Sequence, residues 1–560
     1  MDDRHAPWID GLGIGQVLRE TARRFGDRDA LVFPRAGFRC NYRQLDGLVN
    51  DVARGLLALG LEPGDHFGVW STNWPEWVLL QFAAARVGVV LVKVNPAYHL
   101  AEARYALSHS EIRGLALIEG FKSCDYFGIL SELCPTLSIS PPGELHSDAL
   151  PHLRWVVSMR GDGLPGMLDW SGFLERGQSI SSEALAACEA QLQPTDPISL
   201  MYTSGTTGPP RGALLSHRNL LLNAFYAGAN MRLDESDRIC IPVPLYHCFG
   251  CVLGTLVSII YGTAMVFPLE SFRPEATLDA IEQERCTVIY GVPTMFIAEL
   301  EHESYRGRDL SSLRTGIMAG SPCPIEVMRR VTTSMGAREI TIGYGQTEAS
   351  PLITQTKYDD PIELRVGTVG RPLPGIEVKV IDTETKLERP DGISGELCSR
   401  GHGVMLGYYK MPEETARAID GDGWLHTGDL AMRETNGYLK ITGRLKDIII
   451  RGGENIAPHE IEDLLHSHPK VEDVHVVGVP DHKFGEEILA SIKLRADHSA
   501  TESEIRSFCA ESLAHFKVPR WIRFVEGFPT TVTGKVQKFK IREQAVRDLG
   551  LEAESRIETA

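Results

Sequence analysis

Tyr202-Thr203-Ser204-Gly205-Thr206-Thr207-Gly208-Pro209-Pro210-Arg211-Gly212 is the stretch on which the reading of this chain turns. Five hydroxyl-bearing residues and two glycines occupy its first seven positions, and a cation follows three places later. Glycines let the backbone turn so that N–H groups converge, and Ser/Thr hydroxyls add short donors. That combination suits phosphate oxygens. The apolar run Ile198 to Tyr202 predicts a strand entering the loop, and Ala213-Leu214-Leu215 one leaving it. A flexible Ser/Thr/Gly surface loop is the bland alternative, but strands on both sides and a closing Pro-Arg-Gly argue against it. No Gly-Lys-Ser/Thr follows the glycine, which excludes a Walker loop.

The surroundings of the loop alternate helix and strand. Leu45, Leu48, Val49, Val52, Leu56 and Leu59 recur at helical spacing, and Gly60 with Pro63-Gly64 ends that helix. His66 to Trp70 reads as a strand, Trp74 to Gly88 as a buried helix opened by Asn73-Trp74-Pro75, and Val89 to Val94 as a strand interrupted only by Lys93. Arg218 to Met231 is helical, and Ile239 to Pro244 is a strand that exits into Leu245-Tyr246-His247-Cys248-Phe249-Gly250. Short apolar strands separated by helices predict parallel sheets covered on both faces, with ligands beyond the strands' carboxyl ends. Val288 to Pro293 and Thr315 to Pro322 repeat the strand-then-glycine pattern. Ile340-Thr341-Ile342-Gly343-Tyr344-Gly345-Gln346-Thr347-Glu348 then offers a ring that could stack on a base and a carboxylate suited to Mg²⁺. An aromatic between glycines is also an ordinary turn. His247 read alone fits a satisfied buried imidazole as well as a site residue.

From Gly375 to Arg400 the pattern changes to alternating β residues with turns, closing on Trp424-Leu425-His426-Thr427-Gly428-Asp429. Asp429 suits a ribose diol, although capping a turn is the commoner role. Past Gly443-Arg444-Leu445-Lys446-Asp447 lies an αβ unit of about a hundred residues, a size typical of a separate domain. It ends in the turn Thr530 to Lys535. The fold class expected is therefore α/β. Residues 1–442 read as a large domain of doubly wound sheets plus a β-rich subdomain, 443–447 as a boundary, and 448–560 as a small α+β domain.

Bulk composition narrows the function. The 560 residues are 43% apolar and 23% charged, ordinary for a globular protein with a large core. The net charge of −17 argues against a nucleic-acid partner. Eleven scattered cysteines suit a reducing compartment. Cys248-Phe249-Gly250-Cys251 is a lone CxxC without a second pair. The start Met1-Asp2-Asp3-Arg4-His5 has no targeting pattern, and no apolar run approaches the length of a membrane span. A cytoplasmic location is expected.

Taken in order, these pieces resemble the adenylate-forming superfamily of acyl-CoA synthetases, adenylation domains and luciferases, over nearly the whole chain. The matching stretches are the loop from Tyr202, Tyr-Gly-Gln-Thr-Glu from Tyr344, Gly-Glu-Leu from Gly395 and Trp-Leu-His-Thr-Gly-Asp from Trp424. Gly-Arg-Leu-Lys-Asp from Gly443, Gly-Gly-Glu-Asn-Ile-x-Pro from Gly452 and Thr-Gly-Lys-Val-Gln-Lys from Thr533 complete them. Pro-Leu-Tyr-His-Cys-Phe-Gly from Pro244, Val-Met-Leu-Gly-Tyr-Tyr from Val404 and His-Phe-Lys-Val-Pro from His515 are most similar to medium-chain fatty acyl-CoA synthetases.

The resemblance implies a ligase that joins a medium- to long-chain carboxylic acid to CoA at the expense of ATP, releasing AMP and pyrophosphate through an acyl-adenylate. It implies that Thr203, Ser204, Gly205, Thr206, Thr207, Gly208 and Arg211 hold the β- and γ-phosphates, and that Thr203 and Glu348 bind Mg²⁺. Tyr344 with Gly320 and Ser321 would frame adenine, within a segment that includes Gly345, Gln346 and Thr347. Asp429 would grip the ribose with Arg444 close by, and Lys535 would bridge the carboxylate and α-phosphate. Lys446 resembles the pivot of a swinging C-terminal domain, Gly452-Gly453 the strand that lines the pantetheine tunnel. His247 and Phe249 would lie between adenylate and acyl pockets. One departure is Arg211, where the superfamily usually has lysine. An aryl- or branched-acid CoA ligase, an acyl-carrier-protein ligase and a degenerate nucleotide-binding protein are the alternatives. Monomer and homodimer both remain open.

Overall fold

A computed structural model describes residues 7–203, 210–320, 323, 325–451, 454–481, 484–513, 515–531 and 535–551. By compactness the chain divides into two units. The first comprises residues up to Glu377 together with Ser399–Leu425, and the second Val378–Cys398 together with everything from His426. The segment 443–447 therefore lies inside the second unit.

The first unit contains two large sheets. In one, β1 (His66–Trp70) and β2 (Val90–Val94) run parallel, with His66 opposite Val90 and Trp70 opposite Val94. β3 (Pro197–Thr203) joins parallel to β2, and β4 (Arg211–Ser216) returns antiparallel along β3. The short strand Gly407–Tyr408 closes that edge, placing Tyr408 opposite Ala213. Helix α1 (Pro75–Val87) links β1 to β2. It opens on a proline at its first turn and ends at Gly88 in the left-handed region. All its residues but Glu76 are buried, which is why it carries no polar stripe.

The other sheet has a central run of parallel strands, among them β5 (Thr315–Ala319) and β6 (Glu339–Gly345), flanked by antiparallel edges. β7 (Leu352–Gln355) turns back along β6, pairing Thr354 with Tyr344. A core of Cys240, Ile289, Phe296, Met318, Met328 and Ile342 packs against this sheet. The strand expected over Ile239 to Pro244 pairs only from Arg238 to Cys240. Beyond it the backbone bonds a side chain instead: Asn73 Nδ2 donates to the Val243 carbonyl at 3.1 Å, and the Leu245 N–H donates to Asn73 Oδ1 at 2.8 Å. Asn73 thus fastens the two sheets together rather than capping α1, whose N-cap is Trp74.

The second unit holds a four-stranded sheet in the order β8 (Ile376–Ile381), β9 (Gly395–Gly401), β10 (Leu425–Arg433), β11 (Leu439–Arg444). The ends of β8, β9 and β10 fall where the chain passes between units. A further sheet is built on β12 (Val471–Asp481) and β13 (Gly485–Leu494), with a core of Ile449, Ile461, Leu465, Val474, Ile488 and Ile522.

Candidate active site

The β3–β4 register sets Thr203 opposite Arg211, so the loop begins and ends at one point of the sheet edge. Ser204, Gly205, Thr206, Thr207 and Gly208 lie outside the described residues, as does Ser321. The Thr203 hydroxyl is 3.3 Å from the Arg211 carbonyl and 3.3 Å from Glu348 Oε1. It has one proton to give and two acceptors within reach. Glu348, only 8% exposed, stands in the short helical turn after β6. Its Oε1 also accepts from the Tyr408 hydroxyl at 2.8 Å. Burial, and next the carboxylate beside it, push the Tyr408 phenol upward, which keeps it a neutral donor. Arg211 lies over the Tyr408 ring, 4.7 Å from its centroid, and pairs with Glu414 at 3.4 Å.

Two asparagines fix this constellation. Helix α2 (His217–Asn230) begins with a reciprocal cap in which Ser216 Oγ accepts from the Asn219 N–H and Asn219 Oδ1 accepts from the Ser216 N–H. Asn219 also donates to the carbonyls of His402 at 2.6 Å and Val404 at 3.1 Å, steering the chain toward Tyr408. One turn further, Asn223 donates to the carbonyls of Ala349 at 3.3 Å and Leu352 at 2.7 Å and accepts from the Leu352 N–H at 3.1 Å. Residues four apart share a helix face, so α2 holds both Glu348 and Tyr408.

The loop carrying His247 joins them. Cys248 Sγ is 3.9 Å from Thr347 Oγ1, beside Glu348. His247 Nδ1 accepts from the Phe249 N–H at 3.2 Å, which assigns the ring proton to Nε2. Burial pushes the Cys248 thiol up to about 12, so it is no nucleophile. Gly320 follows β5 at φ +89°, a conformation that favours glycine. Tyr344 and Gly345 close β6, and the Gln346 N–H donates to the Pro351 carbonyl at 2.9 Å.

In the second unit, Asp429 on β10 faces Arg444 on β11, with Oδ1 2.8 Å from Arg444 Nε and the carboxylate nearly buried. Lys446 follows in a single helical turn, Leu445–Asp447. Gly452 and Gly453 lie outside the described residues. Lys535 is exposed, and its backbone N–H donates to Thr531 Oγ1 at 3.1 Å.

Tyr408, Glu414, Asn219 and Asn223 join the site without having been expected there. No spacing links 408 to 348 in the sequence. The sequence signals that touch it are the pair Asn219 and Asn223, four apart on one helix, and Tyr408 itself, which lies in the stretch Val404 to Tyr409.

Residues 18–409 match the AMP-binding enzyme family and 460–535 its C-terminal domain. The chain belongs to the AMP-binding enzyme family. It is 46% identical to the putative acyl-CoA synthetase YngI of Bacillus subtilis (strain 168), over 96% of this chain and 98% of that one. It is 44% identical to the mitochondrial medium-chain acyl-CoA ligase ACSF2 of Danio rerio, over 96% and 89%. Among solved structures, the anthranilate CoA ligase AuaEII in complex with anthranoyl-AMP superposes with a TM-score of 0.84 at 27% identity, covering 98% of this chain and all of that one.

Proposed function

We propose that this AMP-binding enzyme is an AMP-forming acyl-CoA synthetase for medium- to long-chain fatty acids, located in the cytoplasm. The observation that carries the reading is the meeting of Thr203 and Glu348, 145 residues apart, at the foot of a loop closed by Arg211. The medium-chain ligase among its relatives supports the fatty-acid class. The eleven cysteines, all unbridged, support a reducing compartment. Among the described residues no helix is long and apolar enough to cross a membrane.

A free carboxylate is a poor acyl donor because oxide does not leave. In the first half-reaction the carboxylate oxygen attacks the α-phosphorus of ATP, the bond to the β-phosphate bridging oxygen breaks, and pyrophosphate departs. In the second the CoA thiolate attacks the acyl carbon, and AMP leaves with the bonding pair. The phosphoryl step needs placement and charge neutralisation. Arg211 and the loop from Thr203 through Gly208 bind the β- and γ-phosphates. Tyr344 with Gly320 and Ser321 frames the adenine, and Gly345, Gln346 and Thr347 belong to the same nucleotide-binding segment. Asp429, oriented by Arg444, accepts from the ribose hydroxyls. Lys535 faces the charge that develops at the α-phosphate, while His247 and Phe249 border the acyl group. The segment 443–447 with Lys446 is the hinge of the C-terminal domain 448–560. That domain brings Lys535 for the first step and Gly452-Gly453 for the second.

The donor set fits Mg²⁺. An octahedral ion with ligands at about 2.1 Å would set neighbouring oxygens about 3.0 Å apart. Thr203 Oγ1 and Glu348 Oε1, 3.3 Å apart, need only a small closure to match. These two would hold the ion, which when bound neutralises phosphate charge.

The likeness to an anthranilate CoA ligase favours an aryl-acid enzyme as the second reading. A panel of straight-chain, branched and aromatic acids, scored by AMP and pyrophosphate release with CoA present, decides between them. Fatty acids of medium to long chain should give the highest kcat/KM. Preference for aryl acids would move the assignment to the second reading, thioester formation only on a carrier protein would make it an acyl-carrier-protein ligase, and no acid-dependent pyrophosphate would leave a nucleotide-binding protein. Light scattering of the purified protein separates monomer from homodimer.

A further inference from the structure

Away from the nucleotide residues, the four-stranded sheet of the second unit gathers three side chains of different ligand chemistry. Glu396 and Cys398 sit two apart on β9, so both project from one face of the strand. His426, near the start of the neighbouring strand β10, reaches across to them. His426 Nδ1 lies 3.2 Å from Glu396 Oε2 and 3.6 Å from Cys398 Sγ, and the three ligand atoms are all within 4.8 Å of one another. Cys398 is fully buried and the Glu396 side chain is 6% exposed, whereas His426 at 23% opens toward solvent.

Those separations can be compared with the edges of a coordination tetrahedron. With sulfur about 2.3 Å, imidazole nitrogen about 2.05 Å and carboxylate oxygen about 2.1 Å from zinc, the sulfur–nitrogen edge is about 3.6 Å and the nitrogen–oxygen edge about 3.4 Å. The observed 3.6 Å and 3.2 Å differ from these edges by no more than about 0.2 Å. Sulfur, imidazole and carboxylate together suit a borderline divalent ion and not the hard magnesium of the Thr203–Glu348 pair. All three ligands stand on strands, which hold them more rigidly than loops would. A water would supply the fourth ligand.

We propose that Glu396, Cys398 and His426 form a zinc-binding site separate from the nucleotide site. The ion binds Glu396 Oε2, Cys398 Sγ and His426 Nδ1, and the thiol releases its proton to solvent as the Zn–S bond forms. Lys386, whose ammonium lies 3.7 Å from the same Glu396 oxygen, is 59% exposed and turns away as the ion enters. The site straps β9 to β10 three residues ahead of Asp429, on the strand that carries it. Bound zinc therefore stiffens the approach to that carboxylate.

The test uses the full chain, freed of metal with a chelator and titrated with Co²⁺ in the absence of nucleotide. One cobalt per chain should bind with a near-ultraviolet thiolate-to-cobalt band, which cobalt at Thr203 and Glu348 cannot produce. Cys398→Ser should abolish the band. Cys124→Ser and Cys248→Ser, whose thiols also lie near imidazoles, should keep it. In competition titrations His426→Ala and Glu396→Gln should weaken Zn²⁺ binding by more than about a hundredfold, beyond the loss of an outer-shell partner. Lys386→Gln should tighten it. Zinc should raise the melting temperature of the parent and not of Cys398→Ser, whose unaltered circular dichroism would show that it folds. Absence of stoichiometric cobalt, a sulfur band that survives Cys398→Ser, or zinc binding without proton release overturns the proposal. None of these readouts depends on which acid the enzyme activates.

Discussion

In the reaction we propose, Lys535 serves the first half-reaction alone. Lys535→Ala should slow pyrophosphate release by about 10²–10³-fold, the cost of one oriented transition-state donor. Supplied acyl-adenylate should still react with CoA at nearly the parent rate, and equal loss in both assays would contradict a role confined to adenylation. Tyr408 makes a subtler contribution. Tyr408→Phe removes the 2.8 Å donor to Glu348, a bond to a charged acceptor worth about 1.5–3 kcal/mol. Calorimetry should show binding of magnesium–ATP weakened by about tenfold to a hundredfold. His217 governs acid tolerance. It is fully buried, its Nδ1 accepts from the Ile14 N–H at 3.2 Å, and burial lowers it from 6.5 to about 4. The folded chain thus refuses a proton that the unfolded chain accepts. Stability is full above pH 6.5 and falls as pH descends toward about 4, by on the order of 3 kcal/mol. Denaturant midpoints across that window should drop for the parent and stay flatter for His217→Gln.

Helix α2 converts two amide side chains into the placement of a carboxylate and a phenol. Asn223→Ala leaves the Leu352 N–H and the Ala349 and Leu352 carbonyls without that partner, which costs about 1–3 kcal/mol for each buried group left unpaired. The variant should melt earlier and bind ATP more weakly. Unchanged affinity with lowered melting would make Asn223 a purely structural residue. The elements themselves were largely readable from the chain. The glycine loop declared its two strands because apolar runs bracket it, and β1 spans the expected His66 to Trp70. Periodicity could not foresee where the Ile239 strand stops, since its ladder is replaced by the Asn73 side chain from another sheet. Nor could it place Tyr408, which enters the site by pairing at a sheet edge. Lys93 reads as an interruption of β2, yet it is buried, donates to Ser199 Oγ at 2.5 Å and is pushed downward by loss of solvation.

The chain's division into units bears on where it can be cut. Gly443 and Arg444 pair with Leu430 and Asp429, so ending the protein at 442 strips β11 of its last residues and Asp429 of its 2.8 Å partner. A fragment spanning 1–447 should therefore melt several degrees higher than one spanning 1–442, as differential scanning calorimetry would record. Equal melting would mean that the Asp429–Arg444 pair contributes nothing to the sheet. Compactness also assigns 378–398 and 426–560 to one unit while 399–425 returns to the other. During synthesis on the ribosome, β8 and β9 emerge before Tyr408 does, and β9 must wait for β10 to leave the exit tunnel before its second neighbour exists. The nascent enzyme thus carries an unfinished sheet edge just as Tyr408 becomes able to join Glu348, a stage at which a chaperone's shelter would count most.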